Sequence, residues 1–136
     1  MKWNPYLGYD GNCAEAFKFY ERVLGGKIVA MFTHGETPAA EHVRAEAQNT
    51  IMHTRLVVGE NVLMGSDAPP GMFEKPQGFH VSLHFNDNAE AERIFNALAQ
   101  NGTIQMPFEE TFWAKGFGML VDQFGTPWMV NCEKPM

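Results

Sequence analysis

Two copies of one apolar pattern run along the chain. Ala16, Phe19, Tyr20 and Val23 have the i, i+3, i+4, i+7 spacing of a helix with one buried face, and Ala91, Ile94, Phe95 and Leu98 repeat it 75 residues later. The tripeptide Ala14-Glu15-Ala16 recurs at the same offset as Ala89-Glu90-Ala91. Each helical pattern follows a short β-like run, Tyr6–Tyr9 or Val81–Phe85, and stops at a glycine, Gly26 or Gly102. Asn12 is placed to cap the first helix, with Glu15 in the capping-box position.

Alternating and β-branched runs predict strands over residues 3–9, 27–33, 51–58 and 62–66, and again over 79–85, 103–108, 113–121 and 127–132. The helices are expected to reach about Leu24 and Gln100. Three prolines and a glycine between residues 67 and 77 read as a linker. Module one then covers about 1–67 and module two about 78–136. The offset drops to about 65 at the final strands, so the first module carries roughly ten extra residues, placed in the polar stretch 34–50, where 40–48 fit a short helix. The predicted class is α+β: two tandem β-α-β-β-β modules with mixed, curled sheets facing a common cavity and helices on the outside.

At 136 residues each half alone would bury a low fraction of its surface, so both are expected to share one domain. Net charge is -6, with Lys and Arg scattered rather than striped, which argues against a nucleic-acid partner. No apolar run is long enough to cross a membrane as a helix, and Met1 to Pro5 show no apolar leader core. A cytoplasmic protein is the expectation, without a membrane partner. Cys13 and Cys132 are far apart and form no paired motif, so reduced thiols are expected.

Candidate chemistry comes from the strand faces. Alternation sets Phe79, Val81, Leu83 and Phe85 under a helix and turns His80, Ser82 and His84 the other way. A histidine there can act as a general base near neutral pH. His53 and Arg55 share a face of the third strand and could together receive an anionic or carbonyl group; an exposed polar face is the plainer alternative. His34 and His42, in or beside the long loop, are expected to be solvated. Trp113 and Phe117 are candidate aromatic walls for a flat ligand, whereas Trp128 is expected in the core. Gly116 and Gly118 flank Phe117, and Glu109 lies in an acidic loop. The chain lacks a Ser-His-Asp order, phosphate loop, HExxH or paired-carboxylate spacing.

Several segments carry a resemblance. Pro5-Tyr6-Leu7, Gly11-Asn12-Cys13-Ala14-Glu15-Ala16, Phe19-Tyr20 and Leu24-Gly25-Gly26 resemble the opening of the PhnB-like branch of the vicinal oxygen chelate superfamily, which includes glyoxalase I, extradiol dioxygenases and bleomycin-resistance proteins. Met52-His53, Leu56-Val57-Val58-Gly59, Met64 and Ser66-Asp67 extend it. Phe112-Trp113, Phe117-Gly118, Asp122-Gln123-Phe124-Gly125 and Trp128-Met129-Val130-Asn131 are its strongest part. Relatives in this branch often carry the label 3-demethylubiquinone-9 3-methyltransferase. No glycine-rich S-adenosylmethionine loop follows a strand here, so that activity is not carried over.

The resemblance implies four positions that hold a divalent metal in metal-dependent members, and they fall on Pro5, Met64, His80 and Met129. Proline offers no side-chain donor and thioethers are soft, so no usual divalent metal and no other cofactor is expected. Met64 and Met129 instead suit an apolar ligand pocket. Two functional classes stay open. One is a metal-free enzyme with His80 as base and Met64, Met129, Trp113, Phe117, His53, Arg55 and His84 around the ligand. The other is a binding or sequestration protein similar to bleomycin-resistance proteins. The expected partners are a small molecule and, by analogy with paired modules in the superfamily, a second copy of the chain.

Overall fold

The computed structural model describes the backbone of every residue but Val43 and Met136, and side chains for all but these two, Ala39 and His42. Element order is β1 (Tyr6–Tyr9), α1 (Cys13–Leu24), β2 (Lys27–Thr33), β3 (Ile51–Val58), β4 (Asn61–Asp67), β5 (Val81–Phe85), α2 (Asn88–Ala99), β6 (Thr103–Glu109), β7 (Ala114–Val121) and β8 (Pro127–Glu133). The chain divides into two units, residues 1–74 and 75–136, each with one sheet and one helix. The sheets run β1-β4-β3-β2 and β5-β8-β7-β6. In each, the first strand pairs in parallel with the last and the other neighbours are antiparallel, so both are mixed β-α-β-β-β sheets. The α+β duplication read from the apolar pattern is the observed fold.

All eight periodic helix positions are buried. Phe17 and Tyr20 of α1 also pack edge-on to each other, and Phe17 meets Tyr9 in the same manner. Burying a side chain of this size contributes about 1.5–3 kcal/mol. The turn after each helix is set by a backbone collision. A Cβ on Gly26 would run into the Val57 carbonyl oxygen, and one on Gly102 into that of Val121. Gly25 closes α1 in the left-handed region at φ 74°, donating its N–H to Glu21.

Four local expectations need correction. β1 begins at Tyr6 rather than residue 3, because Pro5 has no N–H for the ladder and Trp3 is exposed. Phe79 stays outside β5 and is 49% exposed, so only Val81, Leu83 and Phe85 turn toward α2. The stretch 34–50 holds three short 3-10 turns instead of a helix over 40–48. Asn12 makes no side-chain cap. The Asp67 carboxylate, at the far end of β4, accepts from Gly11 N–H at 2.9 Å and Cys13 N–H at 3.0 Å, and through its other oxygen from Ile51 N–H at 2.8 Å.

Candidate functional site

The sequence singled out residues that the chain divides between its two units. In the first, α1 covers the sheet face bearing Leu7, Tyr9, Leu56 and Leu63. The other face presents Tyr6, Met64, His53 and Arg55. Tyr6 pairs with Met64, and Met64 with Arg55. The Tyr6 ring stacks on His53 at 5.8 Å, and its hydroxyl lies 3.2 Å from His53 Nδ1. Arg55 is exposed and makes no ion pair among the described residues. His53 and Arg55 therefore do share a face, one residue row apart, with a phenol beside them.

The second unit holds the rest. Its open face, opposite α2, carries Ser82 and His84 on β5, Met129 and Asn131 on β8, and Phe117 and Met119 on β7. Register sets them in rows: Ser82 beside Met129 beside Met119, and His84 beside Asn131 beside Phe117. Met106 of β6 extends the methionine row through its pairing with Met119. Glu109 pairs with Phe117 and stays exposed. Trp113 precedes β7, 44% exposed, with its ring 5.4 Å from Phe117 and 4.9 Å from Phe112. Trp128 is fully buried on the helix side, as its alternation against Met129 requires, and donates its indole N–H to Asp122 at 2.8 Å.

His80 immediately precedes β5, half-buried. Its Nε2 lies 3.0 Å from Gln105 Oε1 on β6, the opposite edge of the same sheet. Two edges can meet only because the sheet curls. An amide oxygen only accepts, so the imidazole donates from Nε2 and its lone pair sits on Nδ1 in the neutral ring. His84 is held differently: its Nε2 lies 3.0 Å from the Ser82 hydroxyl, its Nδ1 3.2 Å from the Asn131 amide nitrogen and 4.0 Å from Glu133 Oε1.

The histidines of the long loop differ from expectation. His34 is half-buried in a 3-10 turn with Nδ1 3.0 Å from the Thr50 hydroxyl, because that turn folds back on residues 47–50. The His42 side chain lies outside the described residues. Cys13 is fully buried, and burial first, then the nearby Asp67 charge, pushes its thiol well above the ordinary thiol range. Both cysteines are free.

The donor set does not fit the divalent metal of the superfamily. Among the described residues no group of three or more His, Cys, Asp or Glu is placed to hold an ion. The first strand adds a further departure. Leu7 and Tyr9 are buried under α1, so Tyr6, rather than Pro5, shares the open face with Met64. The matching pair in the second unit is Ser82 with Met129. β1 thus sits one residue out of phase with the helical offset, and the position assigned to Pro5 passes to a phenol. The sequence could not reveal this, because 6–9 has large apolar or aromatic residues on both faces and no polar alternation to fix its phase. Gln105, Asn131, Met119 and Met106 were also missed. Gln105 and Met106 lie at bulges in the pairing of β6 with β7, which obscure alternation.

The glyoxalase/bleomycin resistance protein/dioxygenase superfamily model matches residues 4–130. Protein YjdN of Escherichia coli K12 is 37% identical over 142 residues, covering 98% of this chain and 97% of that protein. The crystal structure of protein PA1353 from Pseudomonas aeruginosa is 48% identical, covers 99% of both chains and superposes with a TM-score of 0.91. A Bacillus cereus structure described as a putative 3-demethylubiquinone-9 3-methyltransferase, PhnB protein, is 22% identical over 97% of this chain and 99% of its own, with a TM-score of 0.79, a likeness of fold. Together with the duplicated β-α-β-β-β sheets, these matches establish that the chain belongs to the glyoxalase/bleomycin resistance protein/dioxygenase superfamily.

Proposed function

We propose that the chain binds a flat or apolar small molecule carrying one polar or acidic handle, without the divalent metal of its superfamily, and that His80 is the base that takes a proton from that handle. The observation carrying this reading is the open face of the second unit. There Met106, Met119 and Met129 form a row of adaptable apolar side chains, Phe117 and Trp113 add aromatic faces, and His80 stands at the edge with Gln105 fixing its tautomer. Mostly apolar linings with a few placed polar groups are the usual make-up of small-molecule sites. His53 and Arg55, beside Tyr6 in the first unit, supply a separate place for an anionic group.

A second reading, ligand binding without turnover, is favoured by the donor set: thioethers at Met64 and Met129, and no group of three or more His, Cys, Asp or Glu placed to hold an ion among the described residues. One experiment separates the two. Ligands are found by screening, and then affinity and product formation are measured for His80→Asn and Trp113→Ala. The enzyme reading expects His80→Asn to abolish turnover with most affinity retained. If affinity alone falls and the wild type forms no product, the chain is a binder. If Trp113→Ala changes neither, the ligand lies elsewhere. A homodimer belongs to the same reading, because Phe112 at 90% exposure and Trp113 at 44% leave an aromatic surface to be covered. Sedimentation at micromolar concentration should then give about twice the 15.3 kDa chain mass, and a clean monomer would reject it.

A further inference from the structure

We infer that Tyr6, Arg55 and Ser66 form an oxyanion site on the open face of the first unit, which takes the carboxylate of a small aromatic acid into the room left by Gly8. The inference rests on the anionic place given to His53 and Arg55 above, and needs neither His80 nor a ligand on the second unit. Leu7 and Tyr9 are buried under α1, so alternation turns Tyr6 and position 8 to the open face. Register sets Tyr6 beside Met64 beside Arg55, and Gly8 beside Ser66 in the next row.

Gly8 supplies the independent observation. The chain has 13 glycines. Six of them take a positive φ, which L side chains rarely adopt, and six more have no room, since an added Cβ would come under 3.0 Å from a neighbouring atom. Gly8 alone has neither reason: its φ is not positive, and a Cβ there would meet nothing within 4 Å among the described residues. A glycine inside a strand weakens it, so the fold of the chain itself gains nothing from this one. A strand glycine with no conformational need marks a place where something approaches the backbone closely. The open space above it lies between Tyr6 and Ser66, within reach of Arg55.

The donors around that space are unspent. The Arg55 and Ser66 side chains have no hydrogen bond or ion pair among the described residues. The four strands of this sheet carry one acid, Asp67, which is buried on the helix side with its oxygens on the Gly11, Cys13 and Ile51 N–H groups. Lys27 pairs with Val57, one row past Arg55 on the side away from Gly8. One guanidinium beside the space suits one negative charge, and its parallel N–H groups match the two oxygens of a carboxylate. The Tyr6 hydroxyl lies 3.2 Å from His53 Nδ1. With the proton on Nδ1, the ring donates to the phenol oxygen and leaves the phenol O–H for the ligand. The stacked Tyr6 and His53 rings, next to Met64, offer a flat surface for an aromatic ring.

The test is titration of the whole chain with benzoate at constant ionic strength, followed by amide NMR. The Gly8 and Ser66 amide signals should shift together with one affinity. That affinity should fall at least about tenfold in Arg55→Gln, and by a similar factor when neutral benzyl alcohol replaces benzoate. Gly8→Val should abolish binding yet raise the midpoint of chemical denaturation, because a β-branched residue in open space strengthens the strand. A lowered midpoint in Gly8→Val would show that the glycine serves the fold and would overturn the proposal. So would equal affinity for benzyl alcohol, or inorganic phosphate binding as tightly as benzoate. Benzoate shifts confined to residues 75–136 and unchanged by Arg55→Gln would overturn it while leaving the reading of the second unit intact. Benzoate bound as expected here, with no ligand moving the methionines of the second unit, would be the reverse result.

Discussion

The two units share a topology but anchor their helices by different means. In the first, α1 begins against a buried carboxylate that comes from the end of β4: Asp67 gathers the N–H groups of Gly11, Cys13 and Ile51. In the second, Asp87 caps α2 from the adjacent position, accepting from Ala89 N–H at 3.0 Å. The position on β8 that matches Asp67 in face and register is the apolar Cys132, and the buried carboxylate of this unit is Asp122. It holds the turn before β8 through Phe124 and Thr126 N–H and braces Trp128. A duplicated fold therefore keeps the apolar helix face at a constant offset while its buried charges move freely. Apolar burial is non-directional and tolerates only shape, whereas a carboxylate can satisfy whichever N–H groups its own module leaves open.

The comparison is broken most strongly at Asp67. Asp67→Ala leaves three N–H groups without their acceptor, two of them at the start of α1, and should destabilise the chain by about 3 kcal/mol or more. Chemical denaturation monitored by circular dichroism measures it. Asp87→Ala removes a single local cap and should cost about 1 kcal/mol. Equal losses for the two variants would mean that Asp67 is no more than an ordinary cap.

A smaller effect concerns pH. The Cys13 thiol is raised in the folded chain, by burial and then by Asp67. A group whose folded value lies above its unfolded value contributes fully below the unfolded value, and that contribution is lost as pH rises. Stability should therefore fall above about pH 8.5, approaching 1.4 kcal/mol per pH unit from this one proton. Cys13→Ala should flatten the alkaline slope relative to wild type, and identical slopes would refute the assignment. In the native chain Cys13 should also resist thiol reagents.

Much of this was legible in the chain. The helix faces followed from spacing alone, since a period of 3.6 over twelve residues is a strong signal, and Trp128 was placed in the core by its alternation with Met129. His53 with Arg55, and Ser82 with His84, were paired correctly by strand alternation. What was not legible depended on distance in sequence. Asp67 reaching Gly11 and Gln105 reaching His80 are contacts across a sheet that no local pattern encodes. The phase of β1 was unreadable because Tyr6, Leu7 and Tyr9 suit either face. Asn12 looked like a cap, but it makes no side-chain cap bond, and the buried Asp67 carboxylate from β4 instead takes the N–H groups on either side of it, those of Gly11 and Cys13.

The central claim is that the open face of the second unit receives an apolar small molecule. Methionine-methyl NMR of the chain, titrated with a ligand from screening, tests it most directly. The account predicts that the methyl signals of Met129, Met119 and Met106 shift together with a single affinity, and that Trp113→Ala weakens that affinity. Shifts confined to methionines of residues 1–74, with those three signals unmoved at saturation, would contradict it.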